Sequence, residues 1–198
     1  MEYRVIQDHN RRANAIWSVV SQSVDFAGRS VVDLGCGHGD MLWRLRRAGA
    51  VSVSGIEKDF DTAADARRRV AQVMRPDLGE QVSVSIVEGD IESFNFRWPG
   101  VHDVNMCFSV LPYLTDPGNT LRWMSLHAPV SLIEMQYFGD GPGPKHVKDD
   151  GDMRAWLDKW WDSVGKVGET FIKGRDATRS IWRCRDPKER RGLYEQVN

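Results

Sequence analysis

The ten residues from Val31 to Asp40, VVDLGCGHGD, restrict what this 198-residue chain can fold into more than any other stretch. A short β-branched run, SVVDLG (Ser30 to Gly35), carries Asp33 and halts at glycine, and glycine then recurs at Gly37 and Gly39. Immediately afterwards Met41, Leu42, Leu45 and Ala48 recur at helical spacing, and Gly49 closes the pattern. Glycine suits a backbone that must turn tightly and let a neighbour approach where a Cβ would stand. The N–H groups that open the following helix lack partners and can receive a carboxylate or a phosphate. The sequence therefore reads as a strand, a ligand-accommodating loop and a helix.

The same alternation continues along the chain. Residues 3 to 26 place Val5, Ile6, Ala13, Ile16, Trp17, Val20 and Val24 near helical spacing, which predicts one or two leading helices before Gly28. Strands are predicted over Val51 to Ile56, Val82 to Val87, Val101 to Phe108 and Val130 to Tyr137. Helices are predicted over Asp61 to Met74, stopped by Pro76, and from Gly118 to Leu126. A Trp-rich helix is expected over Asp152 to Val164, then two strands, Gly168 to Lys173 and Ser180 to Arg185, about the polar turn GRDAT. Alternating strands and helices predict an α/β fold with a parallel sheet, here closed by an antiparallel hairpin. No repeat or linker interrupts the chain, so residues 1–198 are expected to form one domain: leading helices over 1–27, a core over 28–185 and a tail over 186–198.

Composition excludes several function classes. Hydrophobic residues make up 41% and charged residues 28%, the balance of a globular protein with a packed core. With 27 basic against 28 acidic residues, no global field draws in nucleic acid or an anionic membrane. The three cysteines, Cys36, Cys107 and Cys184, are far apart and match no metal-ligand spacing, so neither a disulfide scaffold nor a metal site is expected. The opening residues mix charges and lack the apolar core of a secretory leader, and a cytoplasmic location is the expectation. The arginines at 44, 46, 47 and 67 to 69 fall on predicted helices and read as solvated faces. The basic tail DPKERRG offers a possible phosphate contact.

Dinucleotide sites use the spacing G-x-G-x-x-G/A. Here the helix opens on Asp40, whose carboxylate would repel a pyrophosphate. The D-x-G-x-G-x-G pattern instead resembles motif I of the class I S-adenosylmethionine-dependent methyltransferases. The resemblance extends, element by element, over about residues 28 to 185. It implies a Rossmann-like, doubly wound, seven-stranded, mostly parallel sheet with a C-terminal antiparallel hairpin and helices on both faces. It also implies S-adenosyl-L-methionine as cofactor and S-adenosyl-L-homocysteine as product. Asp33 with Gly35, Cys36, Gly37 and Gly39 would then receive the amino-acid end. Glu57, at the second strand end, would take the ribose hydroxyls beside Lys58, while Asp90 and Ile91 would meet the adenine, and Phe108 would also contact the cofactor. His38 either approaches the cofactor or lies on the surface. Taken singly, Asp33 would be a turn cap and Glu57 a solvated strand end; their joint order argues for the site. Cys36 reads as a small filler rather than a nucleophile.

The acceptor is less defined. Methyl transfer from a sulfonium needs alignment and exclusion of water, and a base only where the nucleophile is protonated. NMCFS, at Asn105 to Ser109, is not the Asn/Asp-Pro-Pro-aromatic motif of nucleic-acid amine methyltransferases, and Cys107 lacks the proline expected in cytosine-C5 enzymes. SVLPYL, at Ser109 to Leu114, resembles the S/N-V-L-H-x-L segment of small-molecule enzymes, with Pro112 where many carry histidine. Candidates to touch the acceptor are Tyr113 and, in the breaker-rich loop YFGDGPGPKH, Tyr137, Asp140 and His146, with a plain surface loop as the alternative. Trp156, Trp160 and Trp161 read first as packing and second as an aromatic wall. A small-molecule acceptor with an O, N or C nucleophile is the expectation. RNA or protein methylation, or cofactor binding without catalysis, are the alternatives.

Overall fold

The computed structural model describes residues 2–73, 83–93, 101–135, 147–171 and 178–189. Seven strands form one sheet in the order β3-β2-β1-β4-β5-β7-β6. They are β1 (Ser30–Leu34), β2 (Ser52–Glu57), β3 (Ser83–Glu88), β4 (Val104–Phe108), β5 (Val130–Met135), β6 (Trp161–Phe171) and β7 (Thr178–Pro187). The first five run parallel, and β7 is antiparallel to both β5 and β6. Helices α1 (Glu2–Ser23), α2 (Asp40–Arg47), α3 (Phe60–Val73), α4 (Pro117–His127) and α5 (Asp150–Leu157) complete the architecture. This is the expected doubly wound sheet with a terminal hairpin.

Central strands covered on both faces are near-continuous apolar runs, and strand periodicity sends alternate side chains to opposite faces. Val31, Met106, Leu132 and Ile181 join Ile16, Val20, Leu42 and Leu45 in the core under α1, α2 and α3. Their neighbours Val32, Cys107, Ile133 and Trp182 join Leu121, Met124, Met153 and Trp156 in the core under α4 and α5. The chain leaves β1 toward β2 and β3, then returns to pair β4 on the other side of β1. That reversal opens a crevice at the carboxyl ends of β1 and β4, where ligands bind in open α/β sheets. Among the described residues no helix is long and apolar enough to cross a membrane.

The leading segment is a single helix ending at Ser23, within the expected one or two. Three other readings change. The predicted Trp-rich helix over 152–164 is instead α5 ending at Leu157, a turn holding Trp160, and β6 starting at Trp161. Pairing with β7 from Trp161↔Pro187 onward claims that backbone, so tertiary context overrides the helical spacing. The hairpin strands are correspondingly about twice as long as their sequence signal. Trp156 and Trp161 are buried in the α4/α5 core, so packing is their role. Arg44 and Arg46 also depart from the solvated-face reading. Both are buried, and Arg44 donates to the Asp40 carbonyl and to Asn14 of α1 while stacking on Trp43 at 4.1 Å.

Candidate active site

The loop after β1 takes its shape from its glycines. Gly35 has φ +76°, and a Cβ there would stand 2.3 Å from the Val110 side chain, so no other residue fits without displacement. The Gly35 and Cys36 N–H groups donate to the Ile56 carbonyl at 2.8 and 2.9 Å, which ties the loop to the tip of β2. Gly37 has φ +53° and open space where a Cβ would point, so a ligand can lie against bare backbone there. Gly39 caps α2 from the left-handed region.

This loop floors a cavity of about 290 Å³ lined by Arg12, Asp33, Gly35, Cys36, Gly37, His38, Asp40 and Phe108, with apolar side chains of α1 and α2. That volume lies at the lower end of small-ligand sites, about 300–1,000 Å³. Asp33 shares its strand face with Val31, under α1, and is only 3% exposed. Burial, then repulsion from Glu57, pushes its carboxyl up to about 7. A buried carboxyl favours a cationic partner.

Glu57 accepts from the Gly37 N–H at 2.9 Å and the Asp59 N–H at 3.0 Å, so the tip of β2 holds the glycine loop directly. Asp90, beyond β3, pairs with Lys58 Nζ at 2.6 Å, and that hydrogen bond is the first cause of its lowered pKa. Ile91 packs against the α4/α5 core. Of the anticipated residues, Asp33, Gly35, Cys36, Gly37 and Phe108 line the cavity together with His38, whose Nδ1 lies 2.8 Å from Asp65. Glu57, Lys58, Asp90 and Ile91 lie along the adjoining strand tips instead. Cys36 is buried and its thiol pKa is raised by desolvation, as suits a filler. Tyr113 is 71% exposed and does not line the cavity. Tyr137, Asp140 and His146 lie outside the described residues.

Sequence reasoning missed Arg12, Ser109, Glu134, Thr170 and Arg179, which meet on the same sheet face. Two signals were present: a carboxylate inside the apolar strand VSLIEM, and an arginine one turn before Ile16 on the inward face of α1.

The strand order and the glycine loop after β1 are those of the Rossmann-like methyltransferase fold. Residues 31–126 match the family model described as a methyltransferase domain. A ubiquinone biosynthesis O-methyltransferase of Ralstonia nicotianae is 33% identical over 103 residues, which is 52% of this chain and 40% of that protein. A tRNA U34 carboxymethyltransferase of Pseudomonas paraeruginosa is 43% identical over 53 residues, 27% of this chain and 16% of that protein. The chain thus spans less than half the length of these curated relatives. Among solved structures, magnesium protoporphyrin IX methyltransferase of Synechocystis, crystallised with its S-adenosylmethionine, superposes with a TM-score of 0.70. That match covers 90% of this chain and 80% of the other at 18% identity, a likeness of fold.

Proposed function

We propose that this chain binds S-adenosylmethionine and transfers its methyl group to a small-molecule nucleophile by direct displacement. The observation that carries this reading is Asp33: a buried carboxyl in a glycine-floored cavity at the β1/β4 crevice, suited to an ammonium group. The cofactor supplies a sulfonium-activated methyl group and needs little beyond alignment and a dry site. Asp33 receives the ammonium, Gly37 lets the amino-acid end lie against backbone, and Phe108 packs beside it. Glu57, already fixed on the Gly37 N–H, presents its carboxylate toward the ribose hydroxyls. Asp90 and the Ile91 N–H flank the adenine edge, with Lys58 holding Asp90 ionised.

The small-molecule preference is supported by the O-methyltransferase relative and by the burial of Arg44 and Arg46, which removes them from any basic face. The tRNA-modifying relatives supply the second reading, an RNA acceptor. Calorimetry with S-adenosylhomocysteine tests the cofactor step, and absence of binding refutes it. Adenosylhomocysteine production from a panel of phenols, amines and carboxylic acids, set against bulk tRNA, separates the acceptors. Binding without turnover on any of them favours a non-catalytic cofactor-binding protein.

A further inference from the structure

β3 is the edge strand of its half of the sheet, so its carboxyl tip has a neighbouring strand on one side only. Just past that tip, Asp90 folds the chain back on its own backbone. Its Oδ1 accepts from the Glu92 N–H at 3.0 Å, and its carbonyl accepts from the Ser93 N–H at 3.1 Å. Lys58, one residue past β2, holds the other carboxylate oxygen at 2.6 Å. The Glu92 side chain leaves this turn for the other half of the sheet. Its Oε1 accepts from the Asp116 N–H at 2.7 Å, and the Thr115 N–H and hydroxyl donate to the same carboxylate. Thr115 and Asp116 lie between the short 3-10 turn Leu111–Tyr113, which follows β4, and the start of α4. Ile91 and Leu114, from the two linked segments, both pack against the α4/α5 core.

The link spans the point where the strand order reverses, with β2 and β1 between its two ends. Capping α4 does not require it, because the Asp116 side chain already accepts from the Asn119 N–H. It also brings the Glu92 carboxylate near that of Asp90, and this repulsion works against the donors that hold Glu92 ionised. Local stability therefore accounts for neither the direction of the link nor its charge. What the link does is tie the Asp90–Ile91 edge to the segment leaving β4, on the far side of the crevice. Reading a ligand edge by hydrogen bonds needs groups that a supporting layer of bonds holds in place.

We propose that Glu92 is a positioning residue that holds the Asp90–Ile91 edge fixed across the crevice and thereby sets the selectivity for an amino-substituted purine. The proposal rests on the cofactor reading above. Glu92 itself touches no part of the ligand.

The test compares S-adenosylhomocysteine with S-inosylhomocysteine, in which a carbonyl replaces the 6-amino group and N1 carries a proton. An acceptor at Asp90 beside a donor at the Ile91 N–H matches the first base and opposes the second at both atoms. By calorimetry, wild type should prefer S-adenosylhomocysteine by about tenfold or more. Glu92→Ala should weaken S-adenosylhomocysteine about tenfold, the scale of a hydrogen bond to a charged group, and shift S-inosylhomocysteine little, so that selectivity falls. Glu92→Gln, which keeps a carbonyl acceptor for the Thr115 and Asp116 N–H groups, should recover part of the loss. Should Glu92→Ala not fold, Thr115→Val, which removes one donor to Glu92, should lower selectivity in the same direction by less. Equal weakening of both compounds, or of neither, by whichever of these two variants folds assigns Glu92 to fold stability alone and overturns the proposal. A wild type that binds both compounds equally overturns it too and leaves the cofactor reading standing. A wild type that binds neither overturns the cofactor reading and this proposal with it.

Discussion

Asp33→Asn should make the ligand-free protein more stable while removing its ligand. The Asp33 carboxyl stands at about 7 in the fold against an ordinary 3.8. At 1.36 kcal/mol per pH unit this is about 4 kcal/mol. The sign follows from proton counting. Between pH 4 and 7 the folded chain keeps a proton that the unfolded chain has lost, so stability falls as pH rises, and the full penalty stands above pH 7. Asparagine carries neither the desolvation cost of the charge nor the repulsion from Glu57. In urea titrations of ligand-free protein, wild type and variant should agree near pH 4 and diverge with rising pH. By pH 8 the variant should lead by about 2–4 kcal/mol. Saturating S-adenosylhomocysteine should then stabilise the wild type and barely move the variant, because binding only to the folded state raises its stability. Wild-type affinity for that ligand should rise with pH through 7, as the carboxylate that meets its ammonium forms. Parallel stability profiles from pH 4 to 8, or a variant that is less stable at pH 8, would refute the reasoning.

Gly35→Ala combines a left-handed backbone cost of about 1–2 kcal/mol with a methyl group driven into Val110. Denaturation should show at least that loss, and adding Val110→Ala should recover the contact but not the backbone cost. Glu57→Gln leaves the Gly37 and Asp59 N–H groups with a weaker acceptor. Affinity for S-adenosylhomocysteine should fall about tenfold or more by calorimetry, the scale of a lost charged hydrogen bond. Trp161→Ala empties a fully buried indole site at the start of β6 and should cost about 3–5 kcal/mol in chemical denaturation. A cost below 1 kcal/mol would place Trp161 outside the core.

Local chemistry wrote much of this fold and site into the chain. Strand, glycine loop and helix follow from residues adjacent in sequence, because β-branched runs, φ above zero and helical apolar spacing are local properties. The acidic strand tips at Asp33, Glu57 and Asp90 were legible for the same reason, since each ends its own strand signal. What local pattern cannot carry is the partner that another element provides. The register of β6 on β7 decided that Trp161 begins a strand although Trp156 and Trp160 sit at helical spacing. The docking of α1 buried Arg44, which a helix taken alone leaves in solvent. The meeting of Arg12 with Glu134 spans 122 positions, and its members come from α1, the turn after β4, β5, β6 and β7. An ion-pair cluster of that kind depends on distances that exist only once the sheet has closed under α1. The sequence alone therefore determined the strand tips and the loop between them, and only the folded sheet decided which charges stand face to face.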